Sequence, residues 1–463
     1  MREPRTLDDF LEKEKYSSVE KVKFRGISIW GYLRNYYSEK YLLSKERSNR
    51  PSQSLALKGF FNLFKGWANW FRRYDYIAIV SKNQRKVVDG VYVHPLDQIP
   101  SEYAGKTLFI ELNNLDAKVD APYPKKRRVV SRFALVLMEF FLIRLLPNRY
   151  YSSVVSSLTE IEEDLEVALD KMYLLRRFDA AYIVMRRVLK MYRPKAMFCM
   201  VSYPIAGYIL AAKNLGIPVI ELQHGYIGRS HRAYNVPKSY GDEIYPDYFL
   251  SWGNYEVDFF KESDGFFISS NKVFPVGNYF LENYLEERER LQKEFLSRFK
   301  DFDIVVSVSM QDPLEAEIME MVMQAAPLDH KIVYLLLPRS KSDTYYQEKY
   351  NLGPNIVQVE KINTYQGMLI SQVHSTMWST TAFEGLAMGL PNVLIDSSGR
   401  SHDIFGHLLN KREATFYADT PQEYVGMIRD AALIDQREVK EISKYYFADD
   451  FSTSIKDAVD TIL

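Results

Sequence analysis

Cysteine is nearly absent: Cys199 is the only one in 463 residues. A single thiol excludes an internal disulfide framework and fits a reducing cytoplasm. Its apolar surroundings predict a buried, inert side chain. An excess of either charge is also missing. Lys+Arg and Asp+Glu stand at 60 each, so the formal net charge is zero and no nucleic-acid partner is expected. No run of 18 apolar residues occurs, so no membrane-spanning helix is expected. Met1–Glu20 is too charged to read as a signal peptide. The glycine signatures GxxxxGK[ST], GxGxxG and GxSxG are absent, which argues against a P-loop, a dinucleotide fingerprint and a nucleophile elbow. No His/Cys/Asp cluster has metal-ligand spacing, so neither a metal nor a cofactor is expected.

What is there is a long apolar α/β pattern. Apolar residues make up 47% of the chain, enough for two or three domains. Residues 1–74 read as a helical accessory segment with a loop at 44–54. Tyr76–Ser81 is the first buried strand, and Val91–Val93 and Thr107–Glu111 are further short ones. Residues 131–193 contain no glycine and read as helices. Strand Ala196–Val201, helix Ile205–Leu215 and strand Ile217–Leu222 then make right-handed parallel βαβ units. Asp247–Ser251 and Lys272–Val276 follow as strands of the same sheet. A second alternation begins at Asp303–Ser309 and continues through Lys331–Leu337, Ile356–Val359, Asn392–Ile395 and Glu413–Ala418. The expected organisation is the 1–74 segment, a first doubly wound domain over 75–299 and a second over 300–463. In such sheets ligands sit beyond the carboxyl ends of the strands, and two facing domains make a cleft.

The second domain is organised around residues 371–396. Thr381 with Glu384 three residues later reads as a capping box, placing a helix start near Ser379–Thr381. Gly389 and Pro391 end that helix. A helix start directly after a strand offers free N–H groups, and the hydroxyls of Ser379 and Thr380 add two donors, which suits a phosphate or diphosphate. Arg339, just beyond strand Lys331–Leu337, is placed to clamp the same group. In the first domain, strand Ile217–Leu222 runs into Gln223-His224-Gly225-Tyr226, followed by Arg229 and His231. His224, as an imidazole with an ordinary value near neutrality, is the candidate general base or a donor to phosphate. Gly225 permits a tight turn. Gly277 allows a turn after strand Lys272–Val276, and Asn278 caps it. Asp301-Phe302-Asp303 precedes its strand and reads as linker.

Lys125-Lys126-Arg127-Arg128 stands before the apolar stretch Phe133–Pro147. Such a pair of features can lie on an anionic membrane surface, or can be an ordinary buried helix with a solvated basic start. The second reading is preferred, with peripheral contact at the inner face of the cytoplasmic membrane left open.

The ordered set ELQHG (221–225), SWG (251–253), VGN (276–278), LPRS (337–340) and STTAFEGLAMGLP (379–391) resembles bacterial GT-B glycosyltransferases of surface-polysaccharide assembly, the capsule and O-antigen enzymes. The resemblance covers roughly 190–396. It implies two Rossmann-like doubly wound parallel-sheet domains facing a cleft, with a nucleotide sugar held mainly on the second. By that resemblance Ser379, Thr380 and Thr381 hold donor phosphate, and Glu384 lies near the ribose or caps the helix. Arg339 approaches the phosphates, and His224 faces the reaction centre among acceptor-side Gln223, Gly225, Tyr226, Arg229, His231 and Gly277. The implied reaction is metal-independent transfer of a sugar from a nucleotide-sugar to a glycan or lipid-linked glycan acceptor. One departure is Leu337, where that family commonly has a histidine before the proline. The rival readings are a nucleotide-sugar 2-epimerase, a polyol-phosphate transferase and a non-catalytic scaffold of polysaccharide assembly. The epimerase needs carboxylates at strand ends, and the sequence shows no obvious pair.

Overall fold

The computed structural model describes residues 5–43, 66–81, 84–88, 90–98, 106–112, 122–124, 127–337, 342, 344–358 and 362–463. The expected loop at 44–54, the pair Lys125-Lys126 and Arg339 lie outside them. The chain divides into two compact units, Met1–Val276 with Ser452–Leu463, and Gly277–Phe451. The change of unit therefore comes earlier than the expected 300, and the chain's last residues join the first unit. The reason is burial. Helices Tyr279–Leu285 and Arg288–Phe295 bury Leu281, Tyr284, Leu291 and Phe295. Tyr284 stacks on Tyr365 of the second unit with ring centroids 5.0 Å apart, and Gln292 donates to the Leu369 carbonyl at 3.2 Å.

The first unit is built on seven strands: β1 (Tyr76–Ser81), β2 (Thr107–Leu112), β3 (Arg128–Ser131), β4 (Ala196–Cys199), β5 (Val219–Leu222), β6 (Tyr248–Ser251) and β7 (Val273–Pro275). Their order is β7-β6-β5-β4-β1-β2-β3, and every neighbouring pair is parallel. Strands buried on both faces need unbroken apolar runs rather than alternation. Tyr76–Val80 is buried throughout. The segment Val91–Val93 is not part of this sheet; it forms an antiparallel ribbon with Lys86–Val88.

The second unit has six strands: β8 (Ile304–Ser309), β9 (Ile332–Leu337), β10 (Ile356–Gln358), β11 (Val373–Thr376), β12 (Asn392–Ile395) and β13 (Thr415–Ala418). They run in the order β10-β9-β8-β11-β12-β13, again all parallel. The expected fold class, two doubly wound α/β units on parallel sheets, is the one observed.

Each sheet has a point where the chain reverses its direction of winding. In the first unit it lies between β1 and β4, in the second between β8 and β11. The loops leaving these neighbours diverge, and a crevice opens between them at the carboxyl ends.

The N-terminal segment is built into the first unit. Helix α1 (Leu7–Tyr16) carries Glu14 and helix α2 (Trp30–Leu43) carries Arg34, and both side chains are almost wholly buried. Arg34 Nε donates to Glu14 Oε1 at 2.7 Å and Nη2 to Oε2 at 2.9 Å. Trp30 Nε1 and the Tyr240 hydroxyl donate to the same carboxylate. Arg34 also donates to the carbonyls of Arg232 and Asn235, so this buried pair holds the loop after β5.

Helices α3 (Phe133–Leu145), α4 (Lys171–Tyr192) and α5 (Ala206–Lys213) cover the sheet. Val184, Met185, Val188 and Leu189 of α4 join Ile77, Ile79, Leu108 and Ile110 in one core. Gly207 lets α5 approach α4 closely, since a Cβ there would lie 2.6 Å from the Phe178 carbonyl oxygen.

Removing one partner of a buried ion pair leaves the other charge uncompensated. Glu14→Gln should cost about 3–5 kcal/mol of unfolding free energy. Urea unfolding of the full chain checks it, and a loss below about 1 kcal/mol, the worth of an exposed pair, would contradict the assignment.

Candidate functional site

The crevice of the first sheet is a cavity of about 930 Å³, lined by Ile79 and Ser81 from β1, Val201 and Tyr203 from beyond β4, and His224 from beyond β5. His224 is thus the one member of the predicted 223–231 group that lines it. Its Nδ1 is buried and meets no hydrogen-bond partner among the described residues. Burial pushes the imidazole down to about 4, opposed in part by the backbone of Met200. His231 is pushed lower, to about 3, by burial and by His224. Both rings are therefore neutral at pH 7. They stand 6.5 Å apart and share the aromatic neighbours Tyr203 and Tyr234.

Gln223 is buried and works within the protein. Its Oε1 accepts from the Trp252 N–H at 2.6 Å, and its Nε2 donates to Glu256 at 2.7 Å and to the Gly225 carbonyl at 3.0 Å. This ties the loop after β5 to the start of helix α6 (Asn254–Glu262). Gly225 does not need a glycine conformation: its φ is not positive, and a Cβ would meet nothing within 4 Å. The chain bends at Gly225 without the positive φ that calls for glycine. Tyr226 stacks on Tyr255, centroids 6.1 Å apart. Arg229 is exposed and lies 3.8 Å from Glu262 on the surface.

Gly277 opens the second unit. Its φ is +82°, and a Cβ would fall 2.4 Å from the Ala448 carbonyl oxygen, so both conformation and space demand glycine. Asn278 caps the helix that follows, accepting from the Phe280 N–H at 3.1 Å.

At the second crevice, half-buried Ser379 and Thr380 end the loop between β11 and helix α7 (Thr381–Ala387), and half-buried Thr381 opens the helix. The predicted capping box does not form. The helix cap falls on Thr380, so Thr381 is already helical and Glu384 sits one position too far along to reach back. Glu384 is instead buried and accepts from the Tyr365 hydroxyl. Ser379 Oγ accepts from the Thr381 N–H at 3.3 Å. Thr381 Oγ1 lies 3.1 Å from His374 Nε2, and His374 Nδ1 lies 3.0 Å from Ser307 Oγ. His374 is wholly buried and pushed down to about 3 by burial, so this Ser307–His374–Thr381 chain is neutral. Thr376 bridges the neighbouring strands by donating to the Ser309 carbonyl at 3.2 Å. Leu337, at the end of β9, is buried and lies against Gly367, where a Cβ would overlap it.

Two carboxyls escaped the sequence reading. Glu221 in β5 and Glu256 in α6 are buried. Burial raises both to about 7, with hydrogen bonds from Tyr234 and Ser202 to Glu221, and from Gln223 to Glu256, working against it. The signal was present in Val219-Ile220-Glu221-Leu222: a carboxylate inside a strand buried on both faces must be paired or neutral.

No family model and no curated protein matches the chain. Solved structures resemble it in architecture. A UDP-GlcNAc 2-epimerase from Methanocaldococcus jannaschii is 12% identical over 84% of this chain and 99% of that one, with a TM-score of 0.49. The glycosyltransferase of kitacinnamycin is 15% identical over 84% and 99%, at 0.47. A UDP-GlcNAc 2-epimerase from Neisseria meningitidis, solved with UDP-GlcNAc, is 9% identical over 84% and 98%, at 0.46. At such identities and scores the likeness carries nothing about chemistry.

A carboxyl raised in the folded state stabilises the protein below its unfolded value and loses that contribution as pH rises through the folded one. For Glu221 this window runs from about 4.5 to about 7. Glu221→Gln keeps the acceptor without the charge, so at pH 8 it should be more stable than the parent by about 2–3 kcal/mol, and the two should converge near pH 4. Unfolding at several pH values checks this, and a pH-independent difference contradicts it.

Proposed function

We propose that this chain is a nucleotide-sugar enzyme and that it transfers a sugar from the nucleotide to a glycan or lipid-linked glycan acceptor. The observation that carries the reading is the furnishing of both winding-reversal points. The second sheet offers the half-buried hydroxyls of Ser379 and Thr380, neutral donors for diphosphate oxygens. The first offers an open cavity with a neutral imidazole. On this reading His224 is the base for the acceptor hydroxyl, and the hydroxyls of Ser379 and Thr380 hold the phosphate oxygens of the nucleotide. The Ser307–His374–Thr381 chain holds the loop from behind and leaves its hydroxyls placed before substrate arrives.

A second reading, a nucleotide-sugar 2-epimerase, gains from one specific observation. Glu221 and Glu256 both stand near 7, where a carboxyl can exchange protons at neutral pH. Their burial away from the described cavity favours the transferase, because a general base must reach its proton directly or through one water.

The two readings separate in one assay. With UDP, GDP, CDP or CMP sugars and no acceptor, an epimerase converts the sugar, and the transferase returns the donor unchanged until acceptor is added. Under the transferase reading His224→Ala lowers turnover by about 10²–10⁴-fold. The acidic limb of kcat/KM should lie near pH 4 rather than 6.5, because the histidine stays neutral down to about 4. Full activity of the alanine variant removes His224 from the chemistry. Failure of all four nucleotides to raise the melting temperature removes the nucleotide reading altogether.

A further inference from the structure

The cavity of the first unit is more basic than a hydroxyl acceptor requires. Arg132, Arg144, Arg176 and Arg177 line it, against one carboxyl, Glu139. Their protein partners are neutral. Arg132 Nε donates to the Tyr208 hydroxyl at 3.3 Å, Arg144 to the Phe140 carbonyl at 3.0 Å and Arg176 to Asn148. Arg176 Nε is buried and meets no partner among the described residues, and the Arg177 guanidinium lies 5.8 Å from the centre of the Tyr36 ring. Glu139 accepts from the Tyr208 hydroxyl, and burial raises it against the pull of Arg132 and Arg177. Guanidiniums are permanently charged and fit phosphate oxygens two at a time. Among the described residues four guanidiniums face one carboxyl, and that excess of positive charge favours an anion.

The same helix that supplies Arg132's neighbour Val136, Glu139 and Arg144 to the cavity turns apolar side chains to water. On α3, Met138 is 45% exposed, Phe141 57% and Leu145 76%, and Phe140 both lines the cavity and is 40% exposed. Positions 138, 141 and 145 share one face, at helical spacing. Large apolar side chains grouped in this way on a soluble surface mark an interaction site. A helix that lines a basic cavity with one side and exposes apolar side chains on the other, with Phe140 and Arg144 at the edge between, matches a ligand with a phosphate at one end and hydrocarbon at the other.

We propose that this cavity seats the phosphate headgroup of a membrane lipid on Arg132, Arg176 and Arg177, with α3 resting its Met138, Phe141 and Leu145 face on the bilayer. The binding stands on the first unit alone. That such a lipid carries the acceptor rests on the transferase reading.

The test is flotation of the full chain with phosphatidylcholine vesicles doped with phosphatidic acid, or with phosphatidylglycerol at matched surface charge. The phosphomonoester should be preferred by roughly fivefold or more, the worth of one arginine near such a surface. Arg176→Gln should remove that preference and leave phosphatidylglycerol binding in place. Phe141→Glu, at an exposed position where folding is safe, should lower binding to both by about tenfold. Melting curves confirm that both variants are folded. Equal binding to the two lipids, no flotation, or indifference to both substitutions overturns the proposal. So does a melting-temperature rise with glycerol 3-phosphate in a protein that does not float, which assigns the cavity to a soluble phosphate ester. Because no nucleotide enters this assay, its failure leaves the donor reading standing, and failure of the nucleotide screen leaves this one.

Discussion

A strand buried on both faces can carry chemistry only at its ends. Parallel pairing then puts all the carboxyl ends of a sheet on one edge, and a reversal of winding opens that edge at one place. Both units of this chain obey that constraint. β1 and β4 part above the first cavity, and β8 and β11 part at the Thr376–Thr381 loop. The interior of β8, β9 and β11 is closed to solvent, so that sheet can meet a ligand only at its strand ends, where the half-buried hydroxyls of Ser379 and Thr380 stand.

The loops at these edges are held by buried polar groups rather than by regular structure. Glu14 and Arg34 grip the chain at Arg232 and Asn235. Gln223 locks the strand exit to Trp252 and Glu256, and His374 does the same for Thr381. Each of these is costly to bury alone and acceptable only with every partner present. Such a framework keeps the cavity histidine and the hydroxyl loop in fixed positions, which is what positioning chemistry needs.

Much of this was legible in the sequence. Unbroken apolar runs such as Tyr76–Val80 and the alternation over 196–222 gave the parallel sheets, because that pattern has few other stable solutions. Gly277 and Asn278 were legible because their neighbours punctuate a strand. The unit boundary was not, since a charged helix such as Arg288–Phe295 reads as a linker until its Leu291 and Phe295 find a core. The capping box failed by one residue, a shift that a Ser-Thr-Thr run does not resolve. The cavity arginines were invisible for a different reason. Arg132 and Arg177 are 45 positions apart in a glycine-free helical stretch, and only packing of α3 on α4 brings them together. Glu221 was readable, as a carboxylate inside a strand buried on both faces.

The account depends most on the second sheet's reversal point being the nucleotide seat. Hydrogen–deuterium exchange of the full chain with and without a nucleoside diphosphate addresses that directly. Protection should concentrate in the segments spanning 310–314 and 376–382, with little change over β5 and the His224 loop. Protection confined to the first unit, or none at saturating nucleotide, would contradict it.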